Sequence, residues 1–155
     1  NLMSGTIRDS LFDGVFNLLS AKPSSSGTYT NTSMVVTIDK VIARLQALPD
    51  ASAADGFAHN KVFKWAEDQA GSVVVRDSIF YLEEVPEGTA SNLPFPPGAY
   101  QNVTVVLGPG FDGDRDGDVT DLDYPAALPV GVTQSRDVTI FTTARASWLA
   151  DHGYT

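Results

Sequence analysis

One six-residue pattern occurs twice in this chain, and it constrains the fold more than any bulk property. Ile7-Arg8-Asp9-Ser10-Leu11-Phe12, near the start, is matched by Val75-Arg76-Asp77-Ser78-Ile79-Phe80 inside the longer stretch Gly71–Leu82. Each copy runs apolar, Arg, Asp, Ser, aliphatic, Phe. Looser echoes lie at Val35–Ile42 and at Asn102–Leu107. Aligned on Ile7, Ile38, Val75 and Val105, successive copies stand 31, 37 and 30 residues apart. A β-rich unit recurring at such a period marks a solenoid, in which each unit buries its apolar face against the next.

Each copy reads as one coil of the stack. In the first, a strand (Thr6–Arg8) meets a polar bend at Asp9-Ser10, continues through Leu11 and Phe12, and passes Asp13-Gly14 into Val15–Leu19. Ser20–Thr32 leaves the stack as a loop, and Ser33–Leu48 returns as the second coil. Lys40–Leu48 also fits a short amphipathic helix, with Val41, Ile42, Leu45 and Leu48 at helical spacing. The echo of the other copies favours strand for Val41–Leu45. After the small-residue loop 49–60, Lys61–Trp65 alternates as a strand, and Gly71–Leu82 is the third coil. Pro86, Pro94, Pro96 and Pro97 exclude regular structure from Val85–Gly98. The fourth coil is Ala99–Leu107, 125–132 reads as punctuated coil, and Asp137–Phe141 as a last strand. A helix is expected over Thr143–His152, N-capped by Thr142 or Thr143 and ended by Gly153, with Ala144, Trp148 and Leu149 as its apolar stripe.

The 155 residues suffice for one domain with a core. With 19 acidic against 10 basic side chains, the net charge of −9 argues against nucleic acid and anionic membranes, which need Lys/Arg clusters. No apolar run reaches the roughly 18 residues of a membrane-spanning helix. The absence of cysteine excludes disulfides, thiolate metal sites and a Cys nucleophile. Because the repeat is under way by Gly5 with no cap before it, an upstream set of rungs, or another copy, is expected to stack on the first coil.

The coils, Phe63-Lys64-Trp65, Asn102–Gly110 and the closing Ala144–Gly153 together resemble the C-terminal end of secreted bacterial right-handed parallel β-helix proteins of the pectate-lyase-like group. The resemblance covers most of the chain outside its loops. It implies an all-β right-handed parallel β-helix over 1–142, a short C-terminal capping helix and tail over 143–155, and a secreted or cell-surface location. That group contains lyases, hydrolases, esterases, adhesins and tailspike-like binders, so the resemblance carries a fold and no single reaction.

The sharpest chemical motif is Asp112-Gly113-Asp114-Arg115-Asp116-Gly117-Asp118-Val119-Thr120-Asp121-Leu122-Asp123. Asp112, Asp114, Asp116 and Asp118 alternate, Gly117 permits a sharp turn, and Asp123 stands at the twelfth position of an EF-hand calcium loop. Calcium takes six to eight oxygen ligands, and without a cation these carboxylates repel. Asp123 is shorter than the usual glutamate, and Gly108-Pro109-Gly110 replaces the preceding helix. A structural calcium site is expected, stapling an insertion.

Asp9, Lys40 and Asp77 fall at matching places and are expected to form a ladder at one bend. The resemblance points to the same region for catalysis, since pectate-lyase-like enzymes hold calcium on Asp and abstract a sugar proton with Arg or Lys. Asp77 with Arg76, Lys64 or Lys61 would then be the site, although no complete motif is present. His59 and His152 are the two histidines, and Tyr29, Tyr81, Tyr100 and Tyr124 are candidate exposed sugar platforms. Asn31 and Asn102 begin glycosylation sequons, relevant only in a eukaryotic secretory host. Two functions follow: a structural, self-associating or polysaccharide-binding terminal segment of an extracellular β-helix protein, stabilised by calcium, or a fragment of a calcium-assisted polysaccharide lyase or hydrolase.

Overall fold

The computed structural model describes residues 2–15, 17–21, 33–46, 48–49, 57–58, 61–65, 71–83, 95–109, 111 and 128–154. The chain is mostly β, with parallel sheets and one C-terminal helix, so the all-β expectation holds. In chain order the elements are β1 (Leu2–Val15), β2 (Asn17–Ala21), β3 (Ser33–Leu45), β4 (Leu48–Pro49), β5 (Phe57–Ala58), β6 (Lys61–Trp65), β7 (Gly71–Leu82), β8 (Gly98–Leu107), β9 (Val132–Ser135) and α1 (Thr139–Asp151). Five of them pair as a parallel sheet in the order β1-β3-β7-β8-β9, and β2 pairs with β6 in a second parallel sheet. The two-residue strands β4 and β5 pair antiparallel.

Each long strand is bent once, at a residue in the left-handed region: Asp9 (φ 46°), Lys40 (φ 54°), Asp77 (φ 45°) and Asn102 (φ 51°). The bend has a consequence for side-chain direction. Along a straight strand every second residue faces one side. Across the bend the phase slips by one, so Val73 and Val75 before Asp77, and Ser78, Phe80 and Leu82 after it, are all buried. The neighbouring strand repeats the slip, with Val36 and Ile38 before Lys40 and Val41, Ala43 and Leu45 after it. The core is therefore lined by two facets of one sheet. Leu19, Val62 and Phe63 from the β2/β6 sheet also pack into it, with Phe63 edge-on to Phe80 at 6.0 Å.

Close approach between neighbouring strands at their starts requires residues without side chains. A Cβ on Gly71 (φ 128°) would lie 2.0 Å from the Met34 carbonyl oxygen, and one on Gly131 (φ 91°) would lie 2.1 Å from that of Tyr100.

The register corrects one expected alignment. Ile7, Ile38 and Val75 are in register as expected, but their partner in β8 is Tyr100, while Val105 pairs with Phe80. The true match is corner to corner, Asp77 to Asn102. The expected strand at Asp137–Phe141 is also replaced. Thr139–Phe141 begins α1, which starts four residues before the expected Thr143. Val138, Ile140 and Phe141 pack with Ile42, Ile79, Tyr81 and Val106 on the sheet's outer face, and that burial overrides their strand-like propensity. A fifth strand, β9, starts at the end of the expected punctuated coil, at Val132, and runs to Ser135, where no element was expected. The helix lies across the outer face from β8 back to β1, along the flank of the stack.

Candidate functional site

Four corner residues form one column. Asp9, Lys40, Asp77 and Asn102 lie between register-paired neighbours on successive strands, as the ladder expectation required, with Asn102 completing it. Asp and Asn enter the left-handed region more readily than other non-glycine residues. Asn102 Nδ2 donates to Asp77 Oδ1 at 2.8 Å, so one corner side chain braces the next. Beside the column, Arg8 pairs with Asp39 on β3 at 3.1 Å.

The serine of the repeated motif has a specific task. Ser78 is fully buried, and its hydroxyl donates to the Arg76 carbonyl at 2.6 Å while accepting the Val41 N–H of β3 at 3.1 Å. The corner turns Val41's N–H away from a backbone partner, and the Ser78 oxygen replaces that partner. Two strands beyond Val41, on β8, the Val103 N–H meets the Gly131 carbonyl at 3.0 Å. In both cases the residue after the corner donates towards the following strand. Ser10 repeats the Ser78 conformation, donating to the Arg8 carbonyl at 2.7 Å. β1 is the edge strand of the sheet, so among the described residues no preceding strand presents an N–H to Ser10.

The second cluster lies where α1 crosses the sheet. Val138 stands at the N-cap position of α1, and Asp137 before it braces the helix start, its Oδ1 accepting both the N–H (2.9 Å) and the hydroxyl (2.6 Å) of Thr139, which hold its carboxyl below the usual range. Neither Thr142 nor Thr143 is the cap; the Thr142 hydroxyl donates back into the helix, to the carbonyl of Val138. Gly153 (φ 76°) ends α1 as expected, in a Schellman arrangement: its N–H reaches the Ala150 carbonyl and that of Tyr154 the Leu149 carbonyl. Phe141 sits 4.9 Å from the Tyr81 ring. Further along, Arg145 binds Asp13 at 2.9 Å, and Asp13 also binds Arg44, which reaches Glu83 at 2.9 Å. Partial burial pushes the Asp13 carboxyl up, but the hydrogen bonds from Arg44 and Arg145 outweigh it and hold the group below its usual value. Asp13 in turn raises Arg44. At the end of the helix, Trp148 Nε1 donates to Asp9 Oδ1 at 3.2 Å, and His152 Nε2 lies 3.3 Å from Asp9 Oδ2.

This geometry redistributes the expected site residues. Asp77 is engaged with Asn102, Arg76 is exposed beside it, and Asp9 is taken up by α1. Tyr81 is buried, and burial raises its phenol pKa. Tyr100 is half-buried with its hydroxyl on the Pro96 carbonyl, and its phenol is likewise raised. Neither tyrosine is the exposed sugar platform that was expected. Tyr29, Tyr124, His59, Asn31 and the acidic loop with Asp112, Asp114, Asp116, Asp118 and Asp123 lie outside the described residues, as do the side chains of Lys61 and Lys64. Among the described residues no cluster of His, Asp and Glu could hold a metal ion, and no helix is long and apolar enough to cross a membrane. The Arg145–Asp13 and Trp148–Asp9 contacts were missed. Nothing local connects a C-terminal helix to residues more than 130 positions earlier.

No protein-family model matches the chain, and comparisons with curated proteins and with solved structures find no match.

Proposed function

We propose that the chain is a structural, self-associating segment of an extracellular right-handed parallel β-helix protein, and that its β1 edge receives a further rung. Support for the β-helix comes from two parallel sheets built by successive coils around one core. β2 follows β1 and β6 follows β3, so the first two coils each contribute a strand to both sheets. Right-handedness follows from the general rule that about 98% of parallel crossovers take that hand. The single observation that carries the docking role is Ser10. It has the conformation of Ser78, and the oxygen that Ser78 uses to receive the previous strand's N–H stands at the outer edge of β1. Long unpaired edges are templates for strand addition.

Sedimentation velocity on the chain tests this reading. Concentration-dependent association is expected, weakened by Ser4→Lys with Thr6→Lys, two exposed positions on β1. A strictly monomeric chain up to high concentration sinks the self-association. Incubation with polyuronides should give no unsaturated product in the ultraviolet; a rising absorbance would instead favour the polysaccharide lyase.

In this reading calcium staples the acidic loop through Asp112, Asp114, Asp116, Asp118 and Asp123, on the strength of the ligand spacing alone. Calorimetry should show calcium binding that Asp114→Ala and Asp116→Ala abolish. If there is no heat, and EDTA leaves the melting temperature unchanged, the metal has no place in the proposal.

A further inference from the structure

The end of α1 holds a histidine whose two ring nitrogens both face acceptors. His152 Nδ1 lies 2.8 Å from the Trp148 carbonyl oxygen and Nε2 lies 3.3 Å from Asp9 Oδ2. A carbonyl and an ionised carboxylate have no hydrogen to offer. A neutral imidazole carries one N–H, so in either tautomer one ring nitrogen would present its lone pair to an oxygen. Only the imidazolium donates to both. The ring also stacks on the Trp148 indole, 3.9 Å between centroids at 15°, where the π-face favours a cation. The C-terminal end of the helix dipole acts in the same sense.

Other charges around the ring fit this arrangement. From β1 the ring is faced by Asp9, whose second oxygen accepts the Trp148 N–H. Lys40 on β3 is Asp9's neighbour in the corner column and is the opposing cation. From α1, Asp151 favours the charged ring, and Arg145 is occupied by Asp13. Tyr154 stacks against Trp148 with planes 11° apart.

We propose that His152 is a proton-operated latch: charged, it ties the end of α1 to the corner of the first strand, and on losing its proton it lets go of Asp9. The Trp148 carbonyl, and then Asp9, raise the proton affinity of the ring above that of an ordinary histidine. A raised folded-state value means the latch is fully closed below the unfolded histidine value of about 6.5. It opens as the pH rises through the folded value. Closure holds both oxygens of Asp9, and with them the edge strand of the described sheet. Opening leaves Trp148 as the remaining tie at that corner.

The test uses the full chain, with proton NMR of the His152 ring, Trp148 emission and amide exchange of 2–15 followed across the same pH range. The wild type should titrate above the ordinary histidine value, with emission quenched on the acid side. Exchange of the β1 amides, corrected for intrinsic rates, should slow several-fold as the ring protonates. Asp9→Asn should lower the midpoint, His152→Gln should abolish the exchange transition, and His59→Gln should leave it in place. His152→Phe, which keeps a ring against Trp148, should give pH-independent exchange. A wild-type midpoint at the ordinary value, an unchanged midpoint in Asp9→Asn, or β1 exchange that is flat across the midpoint would each overturn the latch.

Discussion

Replacing Ser78 by alanine removes one oxygen atom from the fold and leaves the backbone and the apolar core otherwise intact. Two hydrogen bonds are lost, Ser78 Oγ–H to the Arg76 carbonyl and Val41 N–H to Ser78 Oγ. They are not equivalent. Arg76 is an exposed residue, so water can reach the region of its carbonyl, whereas Val41 and Ser78 are both fully buried. A buried donor stripped of its acceptor costs about 1–3 kcal/mol, and an ordinary hydrogen bond contributes about 0.5–1.5 kcal/mol net. Desolvation of the serine hydroxyl is no longer required in the variant, which offsets part of the loss. The expected destabilisation is about 2 kcal/mol.

Ser10→Ala is the internal comparison, because it removes the same atom from the same turn with no cross-strand N–H attached among the described residues. Its expected cost is at most about 1 kcal/mol, the value of a single partly solvated bond. Urea unfolding followed by circular dichroism gives both numbers, and the Val41 amide in hydrogen exchange gives the mechanism. In Ser78→Ala that amide should lose protection beyond the global loss of stability. Equal costs for the two variants, or an unchanged Val41 amide, would refute the role assigned to the repeated serine.

Phe141→Ala should cost about 3 kcal/mol, since it empties the place where α1 packs on Tyr81 and Val106; a lower urea midpoint together with red-shifted Trp148 emission would show the helix loosening from the sheet. Asp13→Asn should cost about 1 kcal/mol at neutral pH, because its partners are partly exposed and such pairs contribute about 0.2–1 kcal/mol each. The Asp13 carboxyl lies below its unfolded value, so its contribution is complete above about pH 4 and is lost as the pH falls through the folded value. The variant should therefore show a flatter acid limb in a melting-temperature profile, on the opposite side of the pH scale from the His152 transition.

What could be read from the sequence followed the corner residues. Arg8-Asp9-Ser10 and Arg76-Asp77-Ser78 were legible as equivalent because Asp tolerates the left-handed region and Ser completes the turn, so the chemistry of the bend is written in the letters. Lys40 occupies the same corner with no such preference, and its place follows from pairing with both neighbours. In β8 the apolar run Val103–Leu107 drew the alignment onto Val105. The informative residue was Asn102, a turn former immediately before that run, and matching corner to corner would have found the register. β9 was hidden because Thr133, Gln134 and Ser135 carry no apolar alternation, and Val132 is its one buried hydrophobic residue. Helix α1 was placed too late because Val138, Ile140 and Phe141 look like strand residues. They enter a helix because the outer sheet face offers Ile42, Ile79 and Tyr81 to bury against, and neither side of that contact is visible locally.

That outer contact changes how the stack holds together. In a parallel sheet each strand pairs only with its neighbours, so contacts run along one dimension and an end strand frays most easily. Among the described residues β1 is the end strand of the five-stranded sheet, paired on one side only. Helix α1 removes the one-dimensionality, because Phe141 packs on β7 and β8 while Arg145, Trp148 and His152 reach β1. Loosening β1 therefore also loosens the helix, and the helix is seated on strands that β1 never touches. Contacts at both ends of α1 therefore join the edge strand to the strands at the far side of the sheet in a single cooperative unit.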